Sequence, residues 1–96
     1  MILSIVIPVY NEEERIIPTL KKLKSDFIKD SSDIEILVGD DGSIDDTASV
    51  VKEFANNNSC FKLIHKESNR GKGAILRDLV AKTSGDIVLY TDADLP

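Results

Sequence analysis

The chain has one cysteine, no excess of positive charge and no long apolar run. Cys60 alone permits no internal disulfide, so a reducing, cytoplasmic setting is the expectation. Lys and Arg number 12 against 17 Asp and Glu, a formal charge of −5. That balance argues against the clustered cationic surface that nucleic acid requires. It does not exclude a nucleotide, because a metal can carry the positive charge locally. No stretch approaches the length of a membrane span, and the strand-like run beginning at Ile2 leaves no room for a signal peptide. Internal repeats, low-complexity segments and linkers are missing as well. What remains is one domain of 96 residues. A chain of that size buries roughly 60–70% of its unfolded surface, enough for one modest core.

Residues 2–9 form a nearly continuous β-branched run, the pattern of a buried parallel strand, which Pro8 should end or make irregular. Asn11 is positioned to cap a helix with Glu12, Glu13 and Glu14 in its first turn. That helix would bury Ile16, Ile17, Leu20, Leu23, Phe27 and Ile28, and Pro18 marks either a kink or its true start. After a turn at residues 30–33, a second strand spans 34–38 and ends in the loop Gly39-Asp40-Asp41-Gly42-Ser43. Asp45 or Asp46 can cap a second helix carrying Val50, Val51, Phe54 and Ala55, closed by residues 56–59. A short third strand covers 61–65, and the loop Asn69-Arg70-Gly71-Lys72-Gly73 follows. A third helix carries Ala74, Ile75, Leu76, Leu79 and Val80 and stops near Ser84-Gly85. Residues 87–91 then run as a fourth strand into Asp92-Ala93-Asp94.

Strands alternating with helices mean an α/β fold with a parallel sheet and right-handed crossovers. In such sheets ligands bind outside the carboxyl ends of the strands. Four polar loops should therefore converge on one edge. Asp92 and Asp94, one residue apart in extended chain, would point the same way and repel unless a divalent cation lies between them. The pair reads either as such a site or as two acids in a solvated turn. Asp40 and Asp41 read as a turn leading into a helix, or as acceptors for base N–H or ribose O–H groups. Arg70 and Lys72, between small residues, suit phosphate oxygens or a plain basic turn. Neither a P-loop nor a dinucleotide fingerprint is present. Tyr10 can stack on a base or simply pack. His65 reads as a strand end, Cys60 as structural, and Lys21, Lys22 and Lys24 as a solvated helix face.

Four blocks carry a resemblance: Ser4-Ile5-Val6-Ile7-Pro8-Val9-Tyr10-Asn11-Glu12, Val38-Gly39-Asp40-Asp41-Gly42-Ser43-Ile44-Asp45-Asp46-Thr47, Asn69-Arg70-Gly71-Lys72-Gly73 and Thr91-Asp92-Ala93-Asp94-Leu95. In this order they resemble the family 2 glycosyltransferases of the GT-A fold, most closely the dolichyl- and polyprenyl-phosphate sugar synthases. The resemblance implies a three-layer, Rossmann-like (GT-A) half-domain with strand order 3-2-1-4. It implies inverting transfer from a nucleoside-diphosphate sugar with Mg²⁺ or Mn²⁺, and a lipid phosphate among the candidate acceptors. Pro8, Tyr10 and Glu12 would line the nucleoside pocket. Asp41 would contact the base or ribose with Asp40 beside it, Asp92 and Asp94 would hold the metal, and Arg70 and Lys72 would meet the diphosphate. Residues 1–96 would be the donor-binding part, cut just after the metal motif. A catalytic base, if the acceptor needs one, would lie beyond Pro96, and the cytoplasmic face of a membrane is the setting implied for a full-length protein. The first two helices should cover one sheet face and the third the other. The fourth strand would be left as an open edge, so self-association of the chain is expected. A module that binds nucleotide and metal without turnover is the first alternative. A Mg²⁺-dependent phosphoacceptor or phosphohydrolase is the second. Those proteins place their acidic pair after the first strand, whereas here the pairs follow the second and fourth.

Overall fold

A computed structural model describes residues 2–28 and 33–93. Its elements run β1 (Leu3–Val9), α1 (Ile16–Phe27), β2 (Ile34–Asp41), α2 (Thr47–Asn56), β3 (Phe61–Lys66), α3 (Lys72–Ala81) and β4 (Ile87–Tyr90). The strands form one parallel sheet in the order β3-β2-β1-β4, as expected. Two central strands buried on both faces explain why residues 2–9 and 34–38 lack polar alternation.

Alternation of side chains divides the core into two clusters. Ile5, Ile7 and Val9 of β1 join Ile36 and Val38 of β2 beneath Ile16, Leu20 and Leu23 of α1 and Val51 of α2. Val6 and Leu37 point the other way, against Ile75 and Leu79 of α3. The first two helices thus lie on one face and the third on the other. Gly39 lets α3 come close: an added Cβ would sit 2.7 Å from Ile75 Cγ1 and 2.8 Å from Leu79 Cδ1.

Several local expectations need correction. Pro8 does not end β1, which continues to Val9. Val6 O accepts from Thr91 N–H on the β4 side, so Pro8, two residues on, turns its missing donor to that same side. The ladder to β4 stops at Val6↔Tyr90, so little pairing is lost. Asn11 is not a helix cap but a residue with φ +52°, and Glu12 to Glu14 precede the helix rather than filling its first turn. The carbonyl of Glu12 instead accepts from Arg15 and Ile16 N–H. Pro18 falls in the first turn of α1, where N–H groups lack intrahelical acceptors, and so causes no kink. Phe27 is 40% exposed rather than part of the buried face. Asp46 occupies the N-cap of α2 without a side-chain bond, while Asp45 Oδ1 accepts from Thr47 N–H at 2.9 Å. Strand β2 extends through Asp41, β3 reaches Lys66, α3 begins at Lys72, and β4 ends at Tyr90. The turn expected at 30–33 falls largely outside the described residues. Among the described residues β4 pairs only with β1, and Ile87, Val88, Leu89 and Tyr90 are all exposed.

At the sheet edge away from the polar loops, a buried carboxylate fastens the α3–β4 connection. Glu35 Oε2 accepts from Ser4 Oγ at 2.5 Å, Ser84 N–H at 2.6 Å and Ser84 Oγ at 3.0 Å. Ser4 Oγ in turn accepts from Gly85 N–H at 2.9 Å. Burial pushes the Glu35 carboxyl up, but bonds from Ser4 and Ser84 and the charge of Lys62 together hold it below its ordinary 4.5. A lowered folded-state pKa contributes stability above the unfolded value that is lost as pH falls through the folded value. Glu35→Gln should therefore cost about 1–2 kcal/mol at neutral pH. Its deficit should shrink progressively as the pH drops below 4.5. Urea titrations of both proteins across that range check this; a deficit independent of pH would remove the carboxylate's role.

Candidate functional site

All four strands deliver polar residues to the same edge, around a cleft of about 330 Å³. That is at the small end of the range for ligand sites. It is lined by Pro8, Val9, Tyr10 and Glu12 at and after the end of β1, Asp41 of β2, Asn69 and Gly71 of the β3–α3 loop, Lys72 and Ile75 of α3, and Asp92 and Ala93 after β4. Of the residues singled out by sequence, Pro8, Tyr10, Glu12, Asp41, Lys72 and Asp92 meet here. Arg70 and Asp40 are not among the lining residues, and Asp94 lies outside the described residues.

The two adjacent aspartates of β2 separate because successive strand residues face opposite ways. Asp41 points to the α3 side and into the cleft. Only 4% exposed, it accepts from Arg70 N–H (3.0 Å) and Gly71 N–H (2.9 Å), holding the β3–α3 loop against the strand. Arg70 thus contributes its backbone here. Asp40 turns to the α1–α2 side and is fully buried. It lies 2.7 Å from His65 Nδ1 and accepts from Ser43 N–H at 3.2 Å. The expectation that Asp40 stands beside Asp41 toward a ligand is corrected: its oxygens serve the protein.

Lys72, at the start of α3, brings Nζ to 3.1 Å from Asp92 Oδ1 and 4.9 Å from the centre of the Tyr90 ring. The Tyr90 hydroxyl donates to the same Asp92 oxygen. Hydrogen bonds from Tyr90 and then Lys72 hold Asp92 below the usual carboxylate range. Contact with Tyr90 and with Asp92 raises Lys72 above its ordinary value. Both groups are therefore charged at neutral pH. Glu12 is paired with Arg15, whose Nη2 lies 2.7 Å from Oε1 and 2.6 Å from Oε2.

A second set of bonds fixes the residues around the cleft, and the sequence does not show which of them pair. The buried Thr19 hydroxyl of α1 reaches the carbonyl of Ala93, whose methyl group is 5% exposed in the core. Ser43 Oγ accepts from Asn11 N–H at 2.8 Å, and Asn11 Oδ1 accepts from Ile44 N–H at 2.9 Å. Thr47 Oγ1 accepts from Glu12 N–H at 2.8 Å. These partners are remote in sequence, so no local pattern marks them.

The family model for "Glycosyl transferase family 2" matches residues 4–95. This chain belongs to glycosyl transferase family 2. The dolichyl-phosphate beta-glucosyltransferase ALG5A of Trichomonas vaginalis is 40% identical over 97 residues, covering 96% of this chain and 30% of that protein. The mannosyltransferase PcManGT of Pyrobaculum calidifontis, solved in complex with GDP-Man and Mn²⁺, superposes with a TM-score of 0.87 at 29% identity, over 96% of this chain and 27% of that one. S. aureus TarS 1–349 with UDP-GlcNAc gives a TM-score of 0.84 at 30% identity, over 98% of this chain and 27% of that one. The chain thus spans less than a third of the length of these relatives, and its fold is the GT-A, Rossmann-like fold of glycosyltransferases.

The solved PcManGT complex contains Mn²⁺, and one carboxylate of this cleft, Asp92, is of the type that binds such a cation. Among the described residues no three His, Cys, Asp or Glu side chains cluster as a self-sufficient metal cage. Asp92, however, is exposed at the cleft, where it pairs with Lys72 Nζ at 3.1 Å. One carboxylate plus substrate phosphates is a common way to hold Mg²⁺.

Proposed function

We propose that this chain is the donor-binding part of a glycosyltransferase that moves a sugar from a nucleoside-diphosphate sugar to an acceptor with inversion. A polyprenyl phosphate is the acceptor class we favour. The observation that carries the donor reading is the shared cleft. Asp41, a buried carboxylate, Lys72, a cation, and Asp92, an exposed carboxylate, all line it, which supports that reading. The GDP-Man and UDP-GlcNAc held by the two solved relatives support a nucleotide-sugar donor. The name of the dolichyl-phosphate relative supports the lipid-phosphate acceptor.

In this reading Pro8, Tyr10 and Glu12 bind the nucleoside, and Asp41 accepts from its N–H or O–H groups. Lys72 leaves Asp92 to meet the diphosphate. Asp92 and Asp94 would hold Mg²⁺ or Mn²⁺, which would offset charge developing on the leaving nucleotide. A phosphate acceptor is already ionised and attacks without a protein base, whereas a hydroxyl acceptor needs one. Because the chain covers so little of its relatives, a second reading is binding without turnover in these 96 residues.

Calorimetric titration with UDP and GDP in the presence of Mn²⁺, followed by a sugar-transfer assay, separates the two readings. Asp92→Ala combined with Asp94→Ala should weaken Mn²⁺ binding by more than about 100-fold, the upper end of what losing a supporting partner alone costs. Unchanged Mn²⁺ affinity in that variant sinks the metal assignment.

A further inference from the structure

His65 is exposed at the end of β3, yet its Nδ1 lies 2.7 Å from the fully buried Asp40. At this distance the two form one hydrogen bond, shared between the imidazole nitrogen and the carboxylate oxygen. A carboxylate so buried is costly unless paired. Its other partner is the Ser43 N–H. From Ser43 a series of bonds leads to the cleft. Ser43 Oγ accepts from Asn11 N–H, and Asn11 Oδ1 returns a bond to Ile44 N–H in the same loop. This double link holds Asn11 at φ +52°, an uncommon conformation for a residue other than glycine. Asn11 lies directly between Tyr10 and Glu12, both of which line the cleft.

We propose that His65 is a positioning residue for the donor site: through Asp40 and Ser43 it fixes the Asn11 turn and hence the placement of Tyr10 and Glu12 in the cleft. The proposal rests on the donor-site reading above. His65 touches no ligand in this role, and its effect travels through the β2–α2 loop.

The test measures UDP and GDP binding with Mn²⁺, together with amide hydrogen exchange of the free protein. His65→Ala should weaken nucleotide binding about tenfold, the scale of one charge-assisted hydrogen bond. It should also speed exchange at Ser43, Asn11 and Ile44 while leaving Ile36 and Val38 in β2 protected. His65→Asn, whose amide nitrogen can take the place of Nδ1, should restore both to within about twofold of wild type. If His65→Ala fails to fold, Ser43→Ala carries the test, because it cuts the relay one bond later and leaves the buried carboxylate paired. Wild-type affinity and exchange in His65→Ala, or in Ser43→Ala where that stands in, overturn the proposal. So does a loss that His65→Asn does not repair. Should wild type bind neither nucleotide, the donor reading fails on its own. Exchange at the three loop amides then decides whether His65 positions the turn.

Discussion

Asp41→Ala is expected to abolish detectable nucleoside-diphosphate binding and to lower the melting temperature by about 10–20 °C. The thermal effect follows from the two backbone donors it leaves behind. Arg70 N–H and Gly71 N–H both point at Asp41, at 3.0 and 2.9 Å. Bonds to a charged acceptor contribute about 1.5–3 kcal/mol each when buried. Arg70 is exposed and Gly71 half-buried, so water can reach the vacated donors, and a total near 2–3 kcal/mol is the reasonable scale. The binding effect has two sources. A ligand loses an anionic acceptor lining the cleft, and the loop bearing Asn69 and Gly71 is no longer tied to the strand. Asp41→Asn should be milder in stability, since one oxygen still accepts, but comparably poor in binding. Calorimetry well below the melting temperature, with circular dichroism to establish folding, separates the two effects. A folded Asp41→Ala that binds UDP or GDP like wild type would reduce Asp41 to a staple for its loop.

The order of elements was legible because each strand is a short apolar run and each helix an amphipathic one, with turn residues between. The sequence of strands across the sheet came from the resemblance, since periodicity cannot specify neighbours. Gly39-Asp40-Asp41 shows where propensity misled. Small and acidic residues read as loop, yet beside β3 they continue the ladder, with Asp40 opposite His65 and Asp41 opposite Lys66. Tertiary pairing overrode a weak local preference. Once those residues are strand, the period of two divides the aspartates between faces, giving one to the cleft and one to His65.

The walls of the cleft were half legible for a different reason. Residues that face a ligand sit at strand ends, and strand ends can be read. Residues that brace them act across long separations. Thr19 reaches Ala93 from the far side of the chain, and Thr47 reaches back to Glu12. Nothing in the neighbourhood of Thr19 distinguishes it from other small polar residues, and nothing around Ser43, although its loop stood out, shows its bond to Asn11. The same limit hid the Glu35 latch, where Ser4, Glu35 and Ser84 come from three separate segments.

Gly42→Ala should be the most damaging of the small substitutions, costing about 3–4 kcal/mol in stability. Gly42 has φ +76°, where a residue with a Cβ is penalised by roughly 1–2 kcal/mol. The larger contribution is steric. An added Cβ would lie 2.5 Å from both Asn69 N and the Ser68 carbonyl carbon, and 3.0 Å from Ser68 Cα. These are backbone atoms, which cannot swing aside as the end of a flexible side chain can. Forcing them apart costs about 1–3 kcal/mol by analogy with overpacked cores. The displaced segment leads directly to Arg70 and Gly71, so the clash also pulls their N–H groups from Asp41. Stability and nucleotide binding should therefore fall together. Gly42→Asn distinguishes the two causes. Asparagine tolerates positive φ better than alanine but is bulkier, so it should be no better if the clash dominates. Denaturant unfolding of both variants is the measurement. A cost below about 1 kcal/mol for Gly42→Ala would mean that the 68–71 segment yields freely, and the close approach of the two loops would then not be what shapes the cleft.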